Sequence, residues 1–154
     1  MAKDMNIGAL RTNCFRQSKV KGEYMLQMRV PAGLIEAKYL GFVQHLATTY
    51  GDGTFHFGSR QCFAIPGIKY ENIDKVNKEL KDYLEDIEVA QCGVDMDTSA
   101  GYPTIGARNI MACIGGIHCI KANINTQEIA KKIEKEVFPS HYHIKVAVAR
   151  SEEH

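Results

Sequence analysis

The stretch YMLQMRVPAG, residues 24–33, decides the fold more than any other part of the sequence. Apolar and polar side chains alternate along it, and the apolar set is Tyr24, Leu26, Met28 and Val30. Because successive side chains of a β-strand point to opposite faces, this pattern predicts a strand with one core face and one polar face. The polar face carries Gln27 and Arg29, and the proline and glycine that follow indicate the end of the strand.

Two helical patterns come after this strand. Over residues 34–50, apolar side chains recur at helical spacing, and Gly51 predicts the end of that helix. Its predicted inner positions are Leu40, Val43, Ala47 and Tyr50. A strongly amphipathic helix is predicted after residue 67, with lysines and glutamates outside its apolar stripe. The stripe consists of Ile73, Val76, Leu80, either Tyr83 or Leu84, and Ile87.

The segment TFHFGSRQCFAI, residues 54–65, lies between the two helices and predicts a second strand. Its predicted core side carries Phe55, Phe57, Phe63 and Ile65. Its predicted polar side carries His56, Arg60 and Cys62. Pro66 and Gly67 indicate the end of this strand.

The second half of the chain has a separate set of elements. Residues 92–107 are rich in turn-forming residues and predict a boundary, and a short strand is predicted over residues 109–113. A helix follows over residues 125–137, capped by Asn125 with Glu128 in a capping box, and its predicted inner positions are Ile129, Ile133 and Val137. A final strand over residues 141–149 places His141, His143 and Lys145 on one face. The order of elements predicts an α+β chain in two segments, the first of them ferredoxin-like.

Composition excludes several classes of function. Nineteen basic and 18 acidic side chains leave a formal charge of +1, which is too small to attract nucleic acid or an anionic membrane surface. No apolar run approaches the roughly 20 residues that span a bilayer. The five cysteines are an odd number, so we expect reduced thiols in a cytoplasmic protein.

The stretch GARNIMACIGGIHC, residues 106–119, carries the chemistry. Cys113 and Cys119 lie on a glycine-rich loop just after Arg108. Thiolates bind iron or zinc, and a guanidinium binds oxyanions with a planar pair of donors. Cationic or hydrogen-bonding side chains also occupy the polar face of each predicted strand, which indicates one shared anionic ligand. They are Gln27, Arg29, His56, Arg60, Arg108, His141, His143 and Lys145.

Taken together, YMLQMRVPAG, YGDGTFHFGSRQCF and GARNIMAC-x5-C resemble the first part of the sirohaem-dependent sulfite and nitrite reductases, in particular their shorter, single-copy members. The resemblance extends over residues 10–149. It implies an N-terminal arm or edge segment over residues 1–22 and a ferredoxin-like half-domain over residues 23–92. Residues 93–149 would begin the domain that binds sirohaem and a [4Fe–4S] cluster, and residues 150–154 lie outside the family pattern.

The resemblance also implies roles for individual residues. Cys113 and Cys119 match one of the two cysteine pairs that hold the [4Fe–4S] cluster. Arg108, His141 and His143 match catalytic positions on the substrate side, where sulfite or nitrite binds. The set expected to contact sirohaem is His56, Arg60, Gln61, Arg29 and Lys145. The implied function is multi-electron reduction of sulfite to sulfide, with electrons supplied by donor subunits of the same reductase.

Three departures from the family pattern qualify these expectations. Gln27 replaces an arginine, and histidines replace two lysines, which makes the charge of the site depend on pH near neutrality. The family pattern continues after residue 149 with a second cysteine pair, whereas this sequence ends at His154. On that count the 154-residue chain is expected to hold no cofactor and to be inactive by itself.

Two alternatives belong to other classes of protein. The first is a small zinc-binding module in which Cys113, His118 and Cys119 act with His141 or His143. The second is a ferredoxin-like RNA-binding or regulatory domain. Such a domain would present exposed aromatic side chains and a basic surface, whereas the phenylalanines of residues 54–65 are expected to face the core and the net charge is near zero.

Overall fold

Four strands form one antiparallel sheet in the first half of the chain, in the order β1–β2–β4–β3. The strands are β1 (Phe15–Gln17), β2 (Glu23–Met28), β3 (His56–Gly58) and β4 (Cys62–Lys69). Helices α1 (Lys38–Thr49) and α2 (Ile73–Asp86) accompany this sheet. The structure is a computed structural model that describes residues 15–86, 108–116, 118–137 and 142–149.

The second half of the described chain is smaller. Strands β5 (Met111–Ala112) and β6 (Ala147–Val148) pair in parallel, and helix α3 (Thr126–Val137) lies between them in sequence. This arrangement confirms the predicted α+β class. The predicted boundary at residues 92–107 lies outside the described residues, as do His141, Cys14 and Cys92.

Strand β2 follows the predicted alternation. Tyr24, Leu26 and Met28 are buried, and Val30 just after the strand is buried as well. They join a core that also takes side chains from β1, β4, α1 and α2. The edge strand β1 comes from the segment predicted as an arm or edge, and its Phe15 is fully buried.

The single strand predicted over residues 54–65 is wrong, because the chain reverses at residues 59–61 and forms the β3–β4 hairpin. The Gln61 N–H donates to the Gly58 carbonyl at 3.0 Å, and Gln61 has a positive φ of 53°. Phe57 pairs directly with Phe63 across the hairpin, yet Phe57 is 75% exposed while Phe63 is buried. Phe55 and Phe57 therefore do not face the core as predicted, and β3, one of the two edge strands, contributes none of the buried core residues in the described part of the chain.

Strand β4 does not end at Pro66 and Gly67 as predicted, because a bulge carries it past them. Tyr24 pairs with Ile68, but Leu26 pairs with Ile65, so β4 accommodates one extra residue. Gly67 has a φ of 79°, and a Cβ there would lie only 2.8 Å from the backbone nitrogen of Asp52. A glycine is therefore required where β4 bends past the loop that follows α1.

The helices are found where predicted, but the inner faces of two of them differ from the prediction in part. Helix α1 begins at Lys38, after a 3₁₀ turn over Pro31–Gly33, and buries Val43 and Ala47 as predicted. It also buries Tyr39 and Leu46, whereas the predicted Leu40 is exposed. Helix α2 buries Ile73, Val76 and Leu80, as its stripe predicts.

Helix α3 has the predicted cap, since the Glu128 N–H donates to Asn125 Oδ1 at 3.2 Å. Its fully buried positions are Thr126, Ala130 and Glu134. Of the predicted inner positions, Ile133 and Val137 are partly buried against the second core, whereas Ile129 is exposed. Ala130 packs into a small second core against the 3₁₀ turn and the β5–β6 pair. The predicted strand over residues 141–149 is likewise shorter, because only β6 pairs with a neighbour.

Replacing Phe15 by Ala is expected to lower the free energy of unfolding by about 3–5 kcal/mol, because it removes a fully buried aromatic side chain. The matched control is Phe57→Ala, which removes the same atoms from a largely exposed position and is expected to change stability by less than about 1 kcal/mol. Urea denaturation of both variants measures the difference. Equal losses would contradict the assignment of residues 15–17 to the core sheet.

Candidate anion-binding cavity

A cavity of about 210 Å³ opens where the first sheet meets residues 108 and 109. The end of β2, the β3–β4 turn and the start of the second half each supply part of its wall. The lining residues are Gln27, Met28, Arg29, Gly58, Ser59, Arg60, Cys62, Arg108 and Asn109. Three arginines that are far apart in sequence thus converge on one concave surface, as the polar strand faces predict.

The side chain of Asn109 joins the two halves of the molecule at this cavity. Its Oδ1 accepts the Val30 N–H at 3.0 Å, and its Nδ2 donates to the Val30 carbonyl at 2.8 Å. The same Nδ2 also lies within hydrogen-bonding distance of the carbonyls of Arg60, at 2.7 Å, and Gln61, at 3.1 Å. Asn109 is buried, and buried backbone groups need hydrogen-bond partners from the protein because water cannot reach them. The side-chain amide of Asn109 supplies those partners.

Arg60 and Gln61 make the reciprocal connection from the β3–β4 turn. Arg60 donates from Nε to the Asn109 carbonyl at 3.0 Å and from Nη2 to the Val146 carbonyl at 2.8 Å. Gln61 pairs with both backbone groups of Ala112, at 2.8 and 2.9 Å. Both residues were predicted to contact a cofactor, and in this structure their polar atoms hold the backbone of the second half in place.

Arg29 forms a buried ion pair with Glu134 of α3. The Arg29 Nε donates to Glu134 Oε1 at 3.0 Å, and Nη2 contacts the same oxygen. The side chains are only 9% and 8% exposed, so the pair sits away from solvent. Arg29 lines the cavity, but its charge is paired with a carboxylate.

Arg108 donates from Nε to His143 Nε2 at 2.9 Å. A neutral imidazole that accepts at Nε2 carries its proton on Nδ1. The structure thus brings Arg108 and His143, two of the three predicted catalytic residues, into direct contact at the cavity, while the third lies outside the described residues. Of the other predicted cofactor-binding residues, His56 and Lys145 are exposed.

The thiol of Cys62 also lines the cavity, although its spacing in the sequence carries no signal. Burial raises the pKa of Cys62, and a hydrogen bond from the Arg60 backbone and the charges of Arg29 and Arg60 offset part of the rise. The Cys62 thiol is therefore close enough to the cavity arginines for its pKa to report on their charge.

The predicted metal ligands Cys113 and Cys119 are half-buried and free of disulfides. Cys113 Sγ lies 3.4 Å from Thr126 Oγ1, at the start of α3. A Cβ at Gly115 would lie 2.5 Å from Thr126 Oγ1 and 3.4 Å from the Cys113 sulfur, so the loop backbone passes too close for any larger residue. In the ranges that the structure describes, no three His, Cys, Asp or Glu side chains are grouped so that they could hold a metal ion, and the zinc alternative has no support there.

Two residues at the site were missed from the sequence. Asn109 carried a weak signal, because it is a polar residue at the start of a predicted strand, where an apolar one would be usual. Glu134 carried none, since the predicted inner face of its helix was defined by Ile129, Ile133 and Val137.

Residues 16–83 match the nitrite/sulfite reductase ferredoxin-like half domain. The chain is also 27% identical over 117 residues to the sulfite reductase [NADPH] hemoprotein beta-component of Bacillus pumilus, which covers 76% of this chain and 18% of that protein. The chain is therefore similar to the nitrite and sulfite reductases, a family of oxidoreductases, as its sequence motifs indicate.

The chain is also similar to an anaerobic sulfite reductase. It is 44% identical over 150 residues to one subunit of the anaerobic sulfite reductase of Salmonella typhimurium, and the match covers 96% of this chain. It covers 44% of that subunit, so the chain spans less than half the length of this relative. None of the helices in the described residues is long and apolar enough to cross a membrane.

Replacing Asn109 by Ala is expected to lower the free energy of unfolding by about 2–4 kcal/mol, because it leaves several backbone groups without partners. Chemical denaturation measures the loss. Asn123→Ala, at an exposed position in the same half, is the matched control and should change stability by less than about 0.5 kcal/mol. A loss no larger than that of the control would show that Asn109 does not hold the two halves together.

Proposed function

We propose that this chain is the N-terminal portion of an enzyme that reduces sulfite to sulfide, and that its cavity binds the oxyanion. The main support for this proposal is that Arg29, Arg60 and Arg108 all line one cavity. Charge-assisted hydrogen bonds from guanidinium groups to oxyanions are among the stronger polar contacts in proteins. The 44% identity to an anaerobic sulfite reductase subunit supports sulfite as the oxyanion.

The arginines of the cavity would have different roles, one structural and one in binding the ligand. Arg60 is fixed by two backbone carbonyls and so shapes the wall. Arg108 lies beside His143, and both side chains have N–H groups that can donate hydrogen bonds. We therefore assign to Arg108 the main contact with sulfite and to His143 a role in supplying protons as oxygen is removed. His141, predicted for the same role, remains a proposal from the family pattern.

The two loop cysteines would serve an iron–sulfur cluster in the whole enzyme. A [4Fe–4S] cluster takes four thiolates, and Cys113 and Cys119 fit as two of them because their sulfurs are unbridged and the loop backbone passes close to one. When bound, the cluster and sirohaem supply electrons and the iron at which sulfite is reduced. His56 and Lys145 are exposed and are suited to bind the carboxylates of sirohaem, and donor subunits would deliver the electrons.

Sulfite binding to the chain tests the proposed cavity. Replacing Arg108 by Met should weaken sulfite binding about tenfold or more, because it removes a charged hydrogen-bond donor. Titration calorimetry measures the affinity. The matched control is Lys131→Met, which removes one positive charge from the exposed side of α3 and should leave binding unchanged. Equal affinities of the wild-type chain and the Arg108 variant would contradict the proposed site.

The cluster ligands are tested in the holoenzyme. Cys113→Ser and Cys119→Ser should each lower the iron and acid-labile sulfide content after anaerobic reconstitution, because serine is a poor ligand for iron in such clusters. Cys62→Ser is the matched control and should retain the full content, since Cys62 lies at the arginine cavity instead of the cysteine loop. Full content in both loop variants would remove the two cysteines from the ligand set.

A further inference from the structure

We propose that Glu134 sets the net charge of the cavity by neutralising Arg29, and thereby determines how strongly the cavity prefers an oxyanion with two charges to one with a single charge. The inference rests on the proposed function in one respect, that the cavity binds an oxyanion. It concerns a residue on the helix behind the cavity wall and not a group that touches the ligand.

The position of Glu134 on α3 is fixed by packing. Thr126, Ala130 and Glu134 occupy one face of the helix at intervals of four residues, and all three are buried. Ala130 belongs to the second core, which anchors that face against the first half of the molecule. The Glu134 carboxylate is therefore held beneath the cavity, where it meets Arg29.

The contacts of Glu134 are concentrated on Arg29. Its Oε1 accepts from both Nε and Nη2 of that arginine. Its Oε2 is buried without a hydrogen-bond partner among the described residues. A buried carboxylate is costly unless a positive charge balances it, so this one depends on Arg29.

The other cavity arginines have contacts of a different kind. Arg60 donates to the carbonyls of Asn109 and Val146, and Arg108 donates to an imidazole nitrogen. Neutral carbonyls leave the charge of the Arg60 guanidinium in place, whereas the Glu134 carboxylate cancels that of Arg29. Glu134 thus withholds one unit of positive charge from the ligand.

The Coulomb energy between this charge and an anion is proportional to the charge of the anion. Removing the Glu134 charge should therefore make the binding free energy of both anions more favourable, and the gain for a dianion should be twice the gain for a monoanion. If the affinity for the monoanion increases by a certain factor, the affinity for the dianion increases by the square of that factor. Glutamine has nearly the same shape and can still accept from Arg29, so Glu134→Gln isolates the charge.

The first measurement compares sulfite with nitrite at a mildly alkaline pH, where sulfite carries two charges and nitrite one. In Glu134→Gln we expect nitrite to bind about threefold and sulfite about tenfold more tightly than in the wild type. Glu136→Gln removes the same charge from an exposed position on the same helix and should change neither affinity, because solvent and salt screen it. Equal gains for the two anions, or no gain beyond that of the control, would overturn the proposal.

The second measurement needs no anion. Cys62 lines the same cavity, and its alkylation rate as a function of pH, followed by mass spectrometry of the Cys62 peptide, reports the local charge. In Glu134→Gln the midpoint should move to lower pH, because an uncompensated Arg29 stabilises the thiolate. If wild-type protein binds no sulfite but this midpoint moves, the proposed function fails and the charge assignment stands. An unmoved midpoint in a folded variant overturns the assignment itself.

A complementary pair of variants keeps the test decisive if Glu134→Gln does not fold. Arg29→Met leaves the negative charge of Glu134 without the Arg29 guanidinium beside it. This variant should shift the midpoint of Cys62 alkylation to higher pH and should weaken the binding of sulfite more than that of nitrite. The double variant Arg29→Met, Glu134→Leu removes both charges, and replacing a buried ion pair by apolar residues is often tolerated. It should restore the wild-type preference between the anions. A double variant that behaves like Arg29→Met would overturn the proposal.

Discussion

The architecture depends on one amide side chain. Asn109 accepts from and donates to the backbone of Val30 as a neighbouring strand residue would, and it also reaches two carbonyls of the β3–β4 turn. Buried backbone groups must find partners, and here a side chain from the other half of the molecule supplies them. Because Arg108 is the preceding residue, the same contacts place its guanidinium at the cavity. The joint between the two halves and the wall of the site are therefore one structure.

The electrostatics of the site follow from how its arginines are held. A guanidinium that donates to carbonyls is oriented without losing its charge, which is the situation of Arg60. A guanidinium paired with a buried carboxylate is oriented and neutralised, which is the situation of Arg29. Both devices occur in one cavity, which under the proposed function must attract an anion yet release a reduced product.

Much of the fold could be predicted from the sequence, and the errors have physical causes. The alternation in β2 and the stripe of α2 are dense enough to fix which faces are buried. In α1 and α3 the errors are at single positions, where Tyr39 is buried instead of Leu40 and Ala130 instead of Ile129. Adjacent residues lie about 100° apart around a helix, so apolar spacing leaves the edge of the inner face ambiguous. The β3–β4 turn was missed because it has Gln61 at a positive φ, where glycine or asparagine would be the usual signal.

The site was predicted less completely, since its chemistry depends on tertiary contacts. The sequence singled out the arginines and cysteines, because these residue types have few other uses in such a pattern. It did not indicate Glu134, which becomes meaningful only once Arg29 lies 3.0 Å away. It also assigned Arg60 and Gln61 to a ligand, because nothing in their spacing reveals that their polar atoms are directed at the backbone of residues 109, 112 and 146.

That direction toward backbone has a consequence for how such proteins can change over time. Gln61 contacts the N–H and the carbonyl of Ala112, and Arg60 contacts the carbonyl of Val146. Every amino acid has that carbonyl, so the side chains at positions 112 and 146 are free to vary with the packing of the second core. Tolerance to substitution should therefore differ from position to position within the joint. Positions 112 and 146, which contribute their main chain, should accept many residue types that fit the second core. Arg60, Gln61 and Asn109, whose side chains make the contacts from both halves, should accept few.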